Sequence, residues 1–409
     1  MDMIAASANN SSRIFASAPA QLYAGWLDKP PRLPENPSMK TNPFHPDSFP
    51  ILVWAQEPSF AEAYREIGIN TFLSLWKGPT ETQLQQVRDA GMFAICNQND
   101  AGLADAAKPD SVIIGWLRGD EPDNLRKQPD GTSAPIPPKV VQEQYRKMRD
   151  KDPSRPIVVN FGQGVANDAF PGRGASFEDY PAYAEGADII SFDIYPVANL
   201  KVPGPDGQTI LDPNGADHLD LIAKGIQRMR GFVHDRKPVW NVLECTHIHN
   251  PDRIATPEQI RSEAWISLIH GSRGICWFVH DFRKEEVNPA AVLDNPEMRQ
   301  AVSEINHEIL KFAPILNRPA VEDGCTCQTT DPESPVAVTG RETEESLHLF
   351  SVGMRNQPTK ATFTLDAPTS ATHVEVLGEN RSLPLDEHRR FHDSFGPYQV
   401  HHYRISRQG

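Results

Sequence analysis

Residues 49–76 read "FPILVWAQEPSFAEAYREIGINTFLSLW", and this stretch holds one complete repeating unit of a fold. Phe49 to Gln56 is an apolar run with no polar alternation, which suits a strand covered on both faces. Residues 58–68 follow as a helix, with Ser59 and Glu62 spaced as a capping box. Only Gly68-Ile69 separates that helix from the next apolar run, which ends at Trp76. The second unit repeats the order, and Thr80 and Gln83 open a helix over 80–91 with another capping box.

The alternation continues along the chain. Further strands are predicted at 92–97, 112–118, 156–161, 187–195, 238–244 and 273–280. Further helices are predicted within 100–110 and at 138–151, 179–186, 218–235, 256–270 and 296–313. The sixth helix carries Ile222, Ile226, Met229 and Val233 on one stripe. The seventh opens Thr256-Pro257-Glu258-Gln259, a cap followed by Pro at the first helical position. The eighth opens Asn295-Pro296 and presents Val302, Ile305, Ile309 and Phe312 on one face. Eight strands, each followed by a helix, predict an α/β chain closed into a (β/α)8 TIM barrel over residues 49–317. Connections from helix to strand are short, whereas those from strand to helix run long at 119–137, 162–178, 196–217, 245–255 and 281–295. A barrel of this kind builds its site from the long set.

Outside the barrel the composition changes. Residues 1–48 are rich in Ser, Asn and Pro and predict an extended N-terminal arm. Residues 318–409 contain short β-runs separated by turns, which predict a small antiparallel β-sandwich. The 409 residues carry a net charge of −14, which disfavours nucleic acid and anionic lipid as general partners and suits a neutral sugar. No run approaches the roughly 20 apolar residues of a membrane span, and no signal-peptide core is read in the first 22 residues. Cys96, Cys245 and Cys276 sit in apolar runs as buried thiols. Cys325-x-Cys327 is too close for an ordinary disulfide and lacks a second pair for zinc.

The chemistry gathers at strand ends. Strand four runs "IIGWLRGDEPDN" (113–124), passing from an apolar run into Asp120, Glu121 and Asp123. Strand seven ends in Glu244, strand six carries Asp193 and Tyr195 on one face, strand five carries Asn160, and strand eight carries Trp277. Trp54 and Trp76 end strands one and two, as candidates to stack on sugar faces. Two carboxylates facing each other across a cleft suit glycoside hydrolysis, where one stays protonated and the other ionised.

Glu at the ends of both strand four and strand seven resembles the clan A retaining glycoside hydrolases, and an appended β-sandwich is common there. The resemblance implies that Glu121 is the acid/base and Glu244 the nucleophile, with no cofactor required. It further implies that Tyr195 donates a hydrogen bond to Glu244 and that Trp277 floors the subsite of the attacked sugar. One position departs from the clan, which usually has Asn directly before the acid/base. Asp120 stands there and would raise the pKa of Glu121. Asp120, Asn160, Asp193, His247 and His280 complete the candidate contacts with a carbohydrate substrate. Two rival readings are a carbohydrate-binding pseudoenzyme and a metal-dependent barrel hydrolase. The latter draws on His247-x-His249, although barrel metal hydrolases carry that motif on strand one.

Overall fold

A computed structural model describes residues 42–283, 286–321, 324–367 and 369–407. The predicted arm lies mostly outside the described residues. Eight strands form a closed barrel: β1 (Ile51–Gln56), β2 (Thr71–Leu75), β3 (Phe93–Cys96), β4 (Ile113–Asp120), β5 (Ile157–Phe161), β6 (Ile189–Asp193), β7 (Val239–Glu244) and β8 (Ile275–Phe278). Each pairs in parallel with its neighbours in sequence, and β1 closes on β8 with Leu52 opposite Cys276. The helices between them are α1 (Ala61–Glu66), α2 (Glu81–Asp89), α3 (Asp100–Ala106), α4 (Pro138–Lys151), α5 (Tyr180–Ala184), α6 (Asp220–Phe232) and α7 (Pro257–Ile269). The last, α8 (Pro296–Leu316), follows β8.

Side-chain caps set the start of several helices. Thr80 and Gln83 close a reciprocal capping box at α2, as do Thr256 and Gln259 at α7. Asn295 accepts from the Met298 N–H at α8. The box expected at Ser59 and Glu62 does not form. Residues Pro58–Phe60 make a 3-10 turn first, so α1 starts late and Phe60, which has no capping side chain, occupies its N-cap. The tight return from α1 to β2 needs Gly68, whose φ is +82° and where a Cβ would come within 2.9 Å of Asn306 Cβ.

The strands sort their side chains into two layers. Leu52, Leu73, Ile95, Ile114, Val158, Ile189, Trp240, Val242 and Cys276 fill the barrel interior. Their sequence neighbours, such as Val53, Phe72, Ile113, Val159, Phe192, Leu243 and Trp277, face the helices. Phe44 stacks on Trp240 at a centroid distance of 6.3 Å, within the inner layer. No helix among the described residues is long and apolar enough to cross a membrane.

After α8 the described residues form nine strands: β9 (Ala320–Val321), β10 (Cys325–Thr329), β11 (Val336–Glu342), β12 (Ser346–Gly353), β13 (Thr359–Leu365), β14 (His373–Val376), β15 (Arg381–Pro384), β16 (Arg390–Phe395) and β17 (Val400–Ser406). They make an antiparallel six-stranded sheet in the order β9-β11-β12-β17-β14-β15 and a three-stranded sheet β10-β13-β16. Phe363, Phe391 and Tyr403 fill the space between them. Cys325 and Cys327 both lie on β10 as free, half-buried thiols. The sandwich docks on α7 and α8: Trp265 stacks on Phe350 at 5.3 Å and meets His402 at 4.0 Å, and its indole N–H donates to Glu308 Oε2 at 2.9 Å.

Candidate active site

The ends of β4, β5 and β6 meet around one amide. Asn160 Nδ2 donates to Asp120 Oδ1 at 2.9 Å and to Asp193 Oδ2 at 2.8 Å, and Asn160 Oδ1 accepts from Ser191 Oγ at 2.8 Å. Laid end to end, those first two distances cap the separation of the two carboxylate oxygens at about 5.7 Å. Alternation explains the convergence, because Asn160, Ser191 and Asp193 continue the inward rows begun by Val158 and Ile189.

Glu121 leaves β4 with φ +40°, a left-handed conformation that costs of order 1–3 kcal/mol for a residue with a side chain. Its N–H donates to the Asn160 carbonyl at 2.8 Å, which ties the strained turn to β5. Ala55, Ser74, Lys77 and Ile248 also have positive φ, and all lie at or just beyond the carboxyl ends of barrel strands. Burial pushes the Glu121 carboxyl up to about 7, with the charges of Asp120 and Asp123 adding, while Asn124 and Lys201 pull the other way. Asp193 is raised well above its ordinary range by burial and then by the charges of Glu121 and Asp120. Asp123, the third carboxyl of the run, is structural: it accepts from the Gly162 N–H at 3.1 Å and from Tyr180 Oη at 2.8 Å, fully enclosed.

Glu244 ends β7 and is 0 % exposed. Its two oxygens accept from the N–H groups of Val197 at 2.8 Å and Ala198 at 2.6 Å, inside the short helix Pro196–Asn199 that follows β6. Tyr195, expected to donate to it, lies instead in the inner layer, in the field of Asp193, with its ring 5.2 Å from Phe278. Behind Glu244 stands Glu263 on α7, also 0 % exposed, with neither oxygen accepting from any donor and Glu244 as its hydrogen-bonding neighbour. Two carboxylates cannot both be charged there. Burial raises Glu244 to about 7 even though the two amides favour its anion, and Glu263, raised further by burial and then by Glu244 with no amide to offset it, holds the proton.

This pair has a measurable consequence. A carboxyl whose folded pKa is raised keeps a proton that the unfolded chain has already lost. Its effect on stability is therefore favourable at low pH and lost as pH rises from about 4.5 toward the folded value. Glu263→Gln supplies a permanent neutral donor. Urea unfolding from pH 4 to 9 is expected to show the variant gaining on wild type by about 1.4 kcal/mol for each pH unit in that window. Parallel stability curves would show that Glu263 carries no proton.

Trp277 corrects the sequence expectation. It is fully buried and faces outward, donating its indole N–H to Asn306 Oδ1 on α8 at 2.9 Å. Cys276 points inward, so its neighbour points away from any substrate. The inward aromatic of β8 is Phe278, which sequence reading passed over although it shares a face with Cys276. Tyr195, Phe278, His280, Phe282 and His249 form a continuous aromatic wall, with successive ring centroids 5.2, 5.0, 5.7 and 4.7 Å apart.

His280 is nearly buried, and Gln56 Nε2 stands 3.2 Å from its Nε2. Gln56 accepts from Tyr64 Oη through Oε1 and donates from Nε2 to the Pro289 carbonyl at 2.7 Å, and burial pushes the His280 imidazole down to about 4, so it is neutral. His247 is half-buried in the field of Asp281, whereas His249 stacks on Phe282. Among the described residues no three His, Cys, Asp or Glu side chains are grouped to hold a metal ion. Trp54 faces inward, half-buried against the inner layer, and Trp76 is 49 % exposed at the rim. Lys201, from the hairpin after β6, is a cation near Glu121 that no motif announced.

Fold and rim together define a (β/α)8 barrel with a C-terminal β-sandwich and an acidic cluster at the carboxyl ends of its strands. The chain is similar in fold to a solved structure described as a glycoside hydrolase, with TM-score 0.52 and 13 % identity over 88 % of this chain and 93 % of that one. Looser likenesses include a maltogenic α-amylase from Thermotoga neapolitana (TM-score 0.46, 10 % identity, 86 % and 98 % covered). Another is a family 30 subfamily 8 xylanase from Clostridium acetobutylicum (TM-score 0.43, 12 % identity, 88 % and 96 % covered). No family model matches the chain, and no curated protein does.

Proposed function

We propose that the protein is a retaining β-glycoside hydrolase acting on an oligo- or polysaccharide. The observation that supports it most is the Asp120–Asn160–Asp193 cluster with Glu121 beside it, in which burial and neighbouring charge hold one carboxyl protonated near neutral pH. Glu121 protonates the departing oxygen while a second carboxylate attacks the anomeric carbon. Glu121 then acts as base toward water, which releases the sugar. The aromatic wall offers apolar faces on which a sugar ring can stack.

The resemblance to clan A gives the attack to Glu244. A second reading gives it to Asp193, which keeps 8 % of its surface exposed and shares Asn160 with Asp120, whereas Glu244 has none and both its oxygens are engaged; burial raises Asp193 well above the ordinary carboxylate range, so on this reading it must first give up a proton.

A panel of aryl α- and β-glycosides tests the function, with the first-formed anomer read by proton NMR. Release of the β-anomer from a β-glycoside is expected. Release of the α-anomer would overturn retention, and binding without turnover of any glycoside or glycan would favour the pseudoenzyme.

A further inference from the structure

The flank of the rim carries cations that the proposed reaction does not use. A groove between the ends of β3 and β4 and the outer face of α4 is lined by Asn97, Gln98, Arg118, Gly119, Lys147 and Lys151, and among the described residues no carboxylate lines it. Among the described residues none of Arg118, Lys147 and Lys151 has an ion-pair partner within 4.0 Å. Arg118 Nε is buried without an acceptor, although its Nη2 donates to Gln144 Oε1 at 2.5 Å. The Arg118 guanidinium has no counter-charge among the described residues, and the exposed Lys147 and Lys151 add two more cations to the same groove, which an anion seated there would neutralise. Gly119, with φ +153°, leaves open space where a side chain would stand.

The groove adjoins the acidic cluster. Arg118 lies three residues before Glu121, roughly 10 Å along a strand. Arg126 donates to the Asp120 and Glu121 carbonyls and adds its charge to that at Arg118.

We propose that this groove is an anion subsite, which takes a sulfate ester or carboxylate carried by a glycan lying across the neighbouring acidic cluster. The word glycan rests on the hydrolase reading; the anion site itself does not. A sparsely charged sugar polymer suits the setting better than nucleic acid. A phosphate on every unit would be repelled by Asp120, Glu121 and the chain's net charge of −14.

Affinity electrophoresis and calorimetry on the full-length chain provide the test, with two sparsely charged glycans (κ-carrageenan, whose sulfate esters fall on alternate sugars, and a glucuronoxylan, whose carboxylates are spaced by several neutral sugars), neutral dextran and duplex DNA as probes. A Glu121→Gln background slows turnover of these unactivated glycans. At least one of the two anionic glycans is expected to bind in a salt-dependent way, and which one binds distinguishes sulfate from carboxylate. Arg118→Gln/Lys147→Gln/Lys151→Gln is expected to weaken that binding at least tenfold. Lys147→Gln/Lys151→Gln, which alters exposed side chains only, should give an intermediate loss if the triple variant fails to fold. Lys311→Gln/Lys360→Gln, far from the groove, should change nothing. Absence of binding by wild type, equal binding by the groove variants, or DNA held as tightly as the glycans would each overturn the subsite. Because binding is read without catalysis, a chain that hydrolyses nothing still tests the groove.

Discussion

Glu121→Gln is expected to lower kcat/KM on an alkyl or disaccharide glycoside by roughly a thousandfold. The same variant should retain much more activity on a dinitrophenyl glycoside, whose leaving group departs without a proton. The pH profile gives an independent signature. A general acid works only while protonated, so wild-type kcat/KM should fall as pH rises through about 7, the value to which burial and then Asp120 and Asp123 push Glu121. That alkaline limb should vanish in Glu121→Gln, because the amide has no proton to lose in this range. Wild-type turnover by the variant on an unactivated substrate, or an unchanged alkaline limb, would remove Glu121 from the mechanism.

The second carboxylate is expected to show itself through chemical rescue. Truncating a nucleophile to Ala should cost roughly 10⁴-fold or more in turnover and leave space for a small anion. Added azide should then restore cleavage of an activated β-glycoside and give the α-glycosyl azide. Asp193→Ala and Glu244→Ala make opposite predictions under the two readings. If Asp193 attacks, only Asp193→Ala is rescued. Glu244→Ala would then lower stability instead, because the Val197 and Ala198 N–H groups lose their buried acceptor. If Glu244 attacks, its variant is rescued, and the short helix at Pro196–Asn199 must open to admit substrate. Rescue of neither would rule out a covalent route through both.

What the sequence made legible follows from local physics. The β/α alternation, the boxes at Thr80 and Thr256 and the cap at Asn295 are decided within a few residues, and all appear in the structure. The crowding of polar groups at strand ends was equally readable, since Asn160 and Asp193 sit on inward rows that can be counted from the apolar residues before them. The same count places Trp277 outside the barrel and Phe278 inside, so the misplaced floor was a matter of parity and not of hidden information. Other features depend on contacts distant in the chain. The burial of Glu244 is set by a turn of helix 47 residues upstream, and its neighbour Glu263 arrives from the following helix. Lys201 and the Arg118 groove arise from hairpins and helix faces that no spacing rule connects to the strand ends.

The stacking of Phe44 on Trp240 bears on traffic through the molecule. With those two rings in the inner layer and the interior filled by Leu, Ile and Val, the barrel is a cup and not a tunnel. Whatever enters must leave by the door it came in, so a long glycan, on the proposed function, would lie across the lip and not pass end to end through the axis.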